Sequence, residues 1–300
     1  MERRMYPTWM ARLGFAVARS ICFRSPLLKG TYAITTHPLM DELVAAARLG
    51  ELTCTLRSGV PVRVRLRDYN GRIIALFGLV EPAITRLIRR LAADDVECLL
   101  DIGSNYGGVG LNCIAPGVEL HLFEPQPDLC NRLRESLADP RCRSARLHEC
   151  ALADHEGEFE LVIDPNHTGA AFLAQGNSAP GAQRGEIRRV RVVDAERYLP
   201  SVLRGRPFAA KVDVEGGELA VVPALLRQPR MRFCIFESGI AANRAVLWEQ
   251  VAAAGLRLYA IANGLWKPKL TEIHSAAGMA GQSDFLALAP DAALLARLPR

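Results

Sequence analysis

From residue 97 onward, short apolar runs alternate with stretches whose apolar residues recur at helical spacing. No other feature constrains the fold as much. Cys98–Ile102, Glu119–Phe123, Ala209–Val214, Phe233–Glu237, Leu256–Ala260 and Phe285–Ala289 read as strands, with Ser144–Ala151, Phe159–Ile163 and Ile187–Val193 as weaker ones. Strands covered on both faces are near-continuously apolar, as these are. Helical spacing fills Asp128–Leu137, Glu218–Leu226 and Arg244–Ala254. Such alternation predicts parallel βαβ units with helices on both faces of one sheet. The Gly-, Asn- and Ala-rich stretch Asp164–Glu186 reads as a long loop near the site.

Upstream the rhythm differs. Residues 1–50 read as helices broken at Ser25-Pro26 and His37-Pro38. Leu52–Arg57 and Val60–Arg67 alternate apolar with polar around Ser58-Gly59, a hairpin signal. Glu81–Leu91 has Ile84, Leu87, Ile88 and Leu91 at helical spacing, with Pro82 in its first turn. The expected division is an N-terminal extension over 1–67 and a catalytic domain over 68–300. Arg3, Arg4, Arg12, Arg19, Arg24 and Lys29 lie among apolar residues in the first 29 positions. The run Leu13–Ala18 is too short to span a bilayer, and no secretory cleavage site stands out. Two readings stand: a basic amphipathic helix that covers the core, or one that meets a membrane surface or a partner.

The chemistry concentrates at strand ends. Leu99-Leu100-Asp101-Ile102-Gly103-Ser104-Asn105-Tyr106-Gly107-Gly108 is a strand that ends beside a carboxylate and then turns on glycines. Glycines let the backbone take positive φ and approach a ligand. A dinucleotide pyrophosphate wants G-x-G-x-x-G with no competing charge; here Asn105 replaces the second glycine and Asp101 precedes the turn. S-adenosylmethionine (SAM) carries an ammonium and no phosphate, so a carboxylate at this place suits it better than NAD. Glu124, in His121-Leu122-Phe123-Glu124-Pro125, closes the next strand 23 residues after Asp101 and is placed to accept both ribose hydroxyls. Small residues around Ala151 suit an adenine ring. Lys211-Val212-Asp213-Val214-Glu215-Gly216-Gly217-Glu218 brings a lysine and carboxylates to the carboxyl end of a core strand, and Glu237 ends another.

Eight cysteines lack any CxxC pair, which disfavours a zinc site; buried free thiols in a reducing compartment, and a cytoplasmic protein, are expected. Net charge is +5, without the dense basic and aromatic run of a nucleic-acid binder, so none is expected as a partner.

Taken in order, LLDIGSNYGG, FEP, ALADHEG, KVDVEGGE and FCIFE resemble the FkbM-type methyltransferases, over roughly residues 68–290. Phe77-Gly78-Leu79-Val80-Glu81-Pro82 resembles the segment before that family's first core strand. Tyr106 departs from the pattern, and the first 65 residues have no match in it. The resemblance implies a Rossmann-like class I SAM methyltransferase fold: a mostly parallel seven-stranded sheet flanked by helices. It implies SAM as cofactor and O-methylation of a small molecule, sugar or lipid-linked glycan. It assigns Asp101, Gly103, Ser104, Asn105 and Gly107 to the methionine half, Glu124 and Pro125 to ribose, Cys150 and Ala151 to adenine, and adds Glu81 to the cofactor site. Asp213 and Glu215 would face the methyl.

The expected catalytic set is Asp213, Glu215 and Lys211. Asp213 or Glu215 would orient or deprotonate a hydroxyl, and Lys211 would tune a neighbour. His167 is a weaker base candidate. No metal is expected, although Asp213, Glu215 and Glu237 could instead hold Mg²⁺. The alternatives are an NAD-dependent oxidoreductase and a non-catalytic SAM-binding protein. A nucleic-acid amine methyltransferase would want Asn/Asp-Pro-Pro-aromatic where this chain has Asp213-Val214-Glu215-Gly216.

Overall fold

The computed structural model describes residues 7–24, 30–93, 95–173 and 185–299. Helices α1 (Thr8–Arg24), α2 (Thr31–Thr35) and α3 (Pro38–Ala46) lead into an antiparallel hairpin, β1 (Glu51–Thr55) and β2 (Pro61–Arg65). Helices α4 (Tyr69–Phe77) and α5 (Pro82–Leu91) follow. His37 caps α3, its Nδ1 accepting from the Leu39 amide at 3.2 Å, so the His37-Pro38 break is a helix start. The Ser25-Pro26 break lies outside the described residues. Helix α4 was not expected; buried Asp68 nucleates it by accepting from the Gly71 amide at 3.2 Å, and Gly78 closes it at φ +68°.

The core sheet is made of β3 (Cys98–Ile102), β4 (Glu119–Phe123), β5 (Ala145–His148), β10 (Phe208–Val212), β11 (Met231–Glu237), β12 (Arg257–Asn263), β13 (Pro268–Ile273) and β14 (Asp284–Leu288). Its order is β13-β12-β14-β11-β10-β3-β4-β5. The five strands from β11 to β5 run parallel; β14, β12 and β13 pair antiparallel. The sheet is therefore the expected mostly parallel α/β sheet, with β13 added at its edge as an eighth strand. Helices α6 (Pro127–Leu137), α7 (Ala195–Leu203), α8 (Glu218–Leu226), α9 (Asn243–Ala253) and α10 (Ala292–Ala296) are the remaining α-helices among the described residues. Apolar residues of opposite parity face opposite layers. Leu99 and Ala209 join a core with α5 and the N-terminal elements, whereas Leu100 and Ala210 join one with α7, α8 and α9. Phe15, Val44, Val62 and Leu66 share the first of these cores with Leu99 and Leu120, so hydrophobic packing runs continuously from the extension into the sheet.

A second sheet has the order β6-β9-β7-β8, from β6 (Ala151–Ala153), β7 (Gly157–Asp164), β8 (His167–Leu173) and β9 (Glu186–Asp194). Ser144–Ala151 is not one strand: β5 pairs with β4 and β6 with β9, so the chain changes sheet between His148 and Ala151. The stretch read as a loop from Asp164 contains β8, held antiparallel to β7; residues 174–184 are outside the described residues. No described helix is long and apolar enough to cross a membrane. All eight cysteines are buried and free.

Candidate active site

The carboxyl ends of β3, β4 and β10 converge on one sheet edge, the place where open α/β sheets bind ligands. A cavity of about 800 Å³ opens there, within the range of small-molecule sites. Gly103, Asn105, Glu124, Pro125, Cys150, Ala151, Asp213 and Glu215 line it, as do Thr168 and Gln126.

Gly103 shows why the first turn needs glycine. Its φ is +81°, and a Cβ there would lie 1.8 Å from the Asp213 carbonyl oxygen. The turns after β3 and β10 are thus pressed together, which holds Asp213 at the cavity wall. Asn105 also has positive φ, +52°, tolerable for asparagine.

Glu124 is a buried carboxylate in the cavity wall. It is 2% exposed. One carboxylate oxygen accepts from the Asn105 amide at 2.8 Å, the other from the Gln126 amide at 2.9 Å. An ionised carboxylate offers about four acceptor positions, so one on each oxygen is left for a ligand. A vicinal diol matches that pair. Burial pushes Glu124 up to about 7 although both amides pull downward. With Ile102, Ala151 and Leu152 offering an apolar wall and the Asp213–Glu215 end offering negative charge, the donor set fits a cationic nucleoside such as SAM.

Behind this wall is a network that sequence reasoning did not reveal. Buried Asp68 accepts from the Thr168 amide and from its hydroxyl, both at 3.0 Å. The Asn105 amide group donates to the Thr168 hydroxyl at 3.0 Å, and that of Gln126 to the Thr168 carbonyl at 2.9 Å. Thr168, held by Asp68 from 100 positions away in sequence, therefore orients both residues whose amides bond Glu124.

Other expected site residues stand back from the cavity. Asp101 is 1% exposed; one oxygen accepts from the Gly110 amide at 2.8 Å, and the other has no hydrogen-bond partner. Register pairs it with Lys211 across β3 and β10. The Lys211 ammonium lies 3.0 Å from Asp213, 3.6 Å from Glu81 and 3.9 Å from Asp101. Burial alone would lower the lysine, but Asp213, Glu81 and Asp101 outweigh it and hold it above its usual range. Lys211 is therefore a fixed cation at the centre of an acidic cluster. Ser104 is buried and donates to the Asp101 carbonyl at 2.8 Å, a bond that closes the turn. Gly107, at φ +77°, packs against Leu111 and Leu133. Tyr106 is buried in the first core. None of Asp101, Ser104, Gly107, Glu81, Lys211 or His167 lines the cavity; His167 packs beside Tyr69, ring centres 5.3 Å apart.

Among the described residues, the carboxylates that come together with metal-like spacing are Glu81, Asp213 and Glu237, whose oxygens lie within 4.8 Å of one another. The trio expected from sequence contained Glu215 in place of Glu81. Burial pushes Glu237 up to about 8, with Asp213, Asp284, Glu81 and Glu215 adding to it, and pushes Glu81 up to about 7 despite Lys211. Partial burial, then the charges of Asp213 and Glu218, lifts Glu215, whose residue lies at the exposed rim.

A family model described as the methyltransferase FkbM domain matches residues 101–251. No curated protein matches the chain. Among solved structures, an O-methyltransferase, TomG from Streptomyces achromogenes, is 12% identical with a TM-score of 0.42, covering 74% of this chain and 86% of that one. A SAM-dependent methyltransferase from Agrobacterium tumefaciens is 12% identical with a TM-score of 0.40, covering 81% and 71%. A precorrin-6Y C5,15-methyltransferase from Geobacter metallireducens is 13% identical with a TM-score of 0.38, covering 69% and 88%. These scores are low, and the assignment stands on the family match, which spans half of the chain and includes the end of β3 together with β4 and β10. The chain belongs to the FkbM methyltransferase family and is a SAM-dependent methyltransferase.

Proposed function

We propose that this methyltransferase acts on oxygen, methylating a hydroxyl of a small molecule, sugar or lipid-linked glycan. The observation that carries this reading is Glu215 at the cavity rim, a carboxylate whose pKa partial burial and the charge of Asp213 raise. A hydroxyl needs a base with a raised pKa to take its proton. A ring amine would instead want neutral acceptors and aromatic stacking, and Asp213-Val214-Glu215-Gly216 supplies neither.

When bound, SAM supplies an electrophilic methyl on a sulfonium. Glu124 holds the ribose diol, and Ala151 with its neighbours flanks the base. Asp213, its orientation fixed by the ammonium of Lys211 3.0 Å behind it, stands in the cavity wall beside the acceptor. Glu215 takes the hydroxyl proton. Positioning of this kind is worth several orders of magnitude when the reacting atoms are held within about 3.5 Å.

A metal-assisted reading has one observation in its favour, the approach of Glu81, Asp213 and Glu237. We place Lys211 in that role instead, because its ammonium already serves Asp213 and Glu81.

The test uses SAM carrying a ¹³C-methyl group with fractionated glycans, lipids and small metabolites. The carbon shift of the product separates O-methyl from N- and C-methyl. Label on oxygen, with Glu215→Gln lowering kcat and leaving the SAM Kd unchanged, supports the reading. Label on nitrogen or carbon overturns it.

A further inference from the structure

Helix α1 carries an apolar face that none of the described residues covers. Trp9, Leu13, Val17 and Ile21 recur every four residues and so lie on one side of the helix. Their exposures are 66%, 58%, 51% and 67%, with Met10 beside them at 45%. Large contiguous exposed apolar patches on soluble proteins mark contact surfaces. The helix cannot roll to hide this one. Ala11, Phe15 and Cys22 are buried on its other side. A Cβ on Gly14 would lie 3.2 Å from the Leu43 side chain of α3, and one on Gly78 would lie 2.3 Å from the Phe23 ring. Close fits on two sides lock α1 with its stripe outward.

Charge selects the occupant. Arg12, Arg19 and Arg24 lie on α1, which has no Asp or Glu; Arg12 and Arg24 are exposed. An apolar stripe with tryptophan at one end, flanked by arginines, is the composition of a helix that lies in a lipid interface. A second copy of the chain fits less well. A stripe about 18 Å long and one helix face, about 10 Å, wide offers well under the roughly 800 Å² per partner of a stable interface, and two-fold pairing would bring like-charged arginines together.

We propose that α1 docks this methyltransferase on an anionic lipid bilayer, with Trp9, Leu13, Val17 and Ile21 in the interface and the arginines at the headgroups. This surface is independent of the cavity and of the acceptor's identity. Each arginine near an anionic surface strengthens binding severalfold, and salt screens the effect.

The full chain is floated with vesicles of phosphatidylcholine alone and with vesicles containing phosphatidylglycerol. The wild type is expected to float with the anionic vesicles, less so at high salt, and weakly with the neutral ones. Leu13→Glu with Val17→Glu is expected to reduce binding about tenfold or more. Arg19→Gln with Arg24→Gln is expected to reduce it severalfold on anionic vesicles alone. Ile21→Gln, a single exposed change, provides the same readout if the double variant does not fold; circular dichroism and SAM binding verify folding. Absence of flotation by the wild type overturns the proposal, as does flotation unchanged in L13E/V17E. A dimer that L13E/V17E dissociates, without vesicle binding, assigns the stripe to a second copy.

Discussion

Glu124 should make SAM binding depend on pH in a range where most carboxylates are inert. Its ordinary value is 4.5, and burial lifts it to about 7. For a group 2% exposed that difference corresponds to about 3 kcal/mol at most. The sign for the free protein follows from the direction of the shift. A carboxyl raised in the folded state stabilises the fold below its unfolded value and loses that contribution as pH rises through about 7. Ligand binding works the other way, because two hydroxyl donors on the carboxylate favour its charged form. SAM affinity should therefore rise about tenfold from pH ~6 to pH ~8, with protons released on binding. Glu124→Gln keeps the shape but replaces one acceptor by a donor, which meets a backbone N–H. It should cost binding about 1.5–3 kcal/mol for each charged hydrogen bond lost and remove the pH dependence in this window. The comparison isolates Glu124 from Glu81 and Glu237, which burial also pushes up, to about 7 and about 8. Calorimetric titration in buffers of different ionisation enthalpy reads both affinity and protons. An affinity flat between pH ~6 and ~8 in the wild type, or a pH profile that survives in Glu124→Gln, would refute the reasoning.

Gly103→Ala should destabilise the fold by more than the roughly 1–2 kcal/mol of a left-handed alanine, because its methyl would lie 1.8 Å from the Asp213 carbonyl; urea denaturation gives the loss. Lys211→Met should cost about 3–5 kcal/mol by stranding buried carboxylates, and more as pH rises and they ionise, so melting curves at several pH values should diverge from wild type toward alkaline pH. Thr168→Val removes the hydroxyl shared by Asn105 and Asp68; it should cost about 1–3 kcal/mol and weaken SAM binding several-fold, seen by calorimetry. Chelator should leave turnover unchanged if Lys211 is the resident cation; a loss restored by Mg²⁺ would shift the assignment to the Glu81–Asp213–Glu237 trio.

Local sequence determined the strand–turn–helix units. The run Cys98–Ile102 is apolar enough to be buried on both faces, and Gly103 follows where only a residue without Cβ can pass the Asp213 carbonyl. Glu124 at the end of β4 was legible for the same reason: strand ends and turns are set by residues a few positions apart. Tertiary structure decided which charges face the cavity. Asp101 and Lys211 were read as site residues, but strand parity turns both into the layer beneath α5, where register makes them partners. Asp68 and Thr168 left no sequence signal, since a hydrogen bond across 100 residues depends on how α4 meets β8. Strand β8 was invisible because His167-Thr168-Gly169-Ala170-Ala171 lacks strand-favouring composition and takes its shape from pairing with β7. The outward face of α1 was equally undecided: its apolar residues surround the helix, and only packing against α3 and α4 determines which of them meet water.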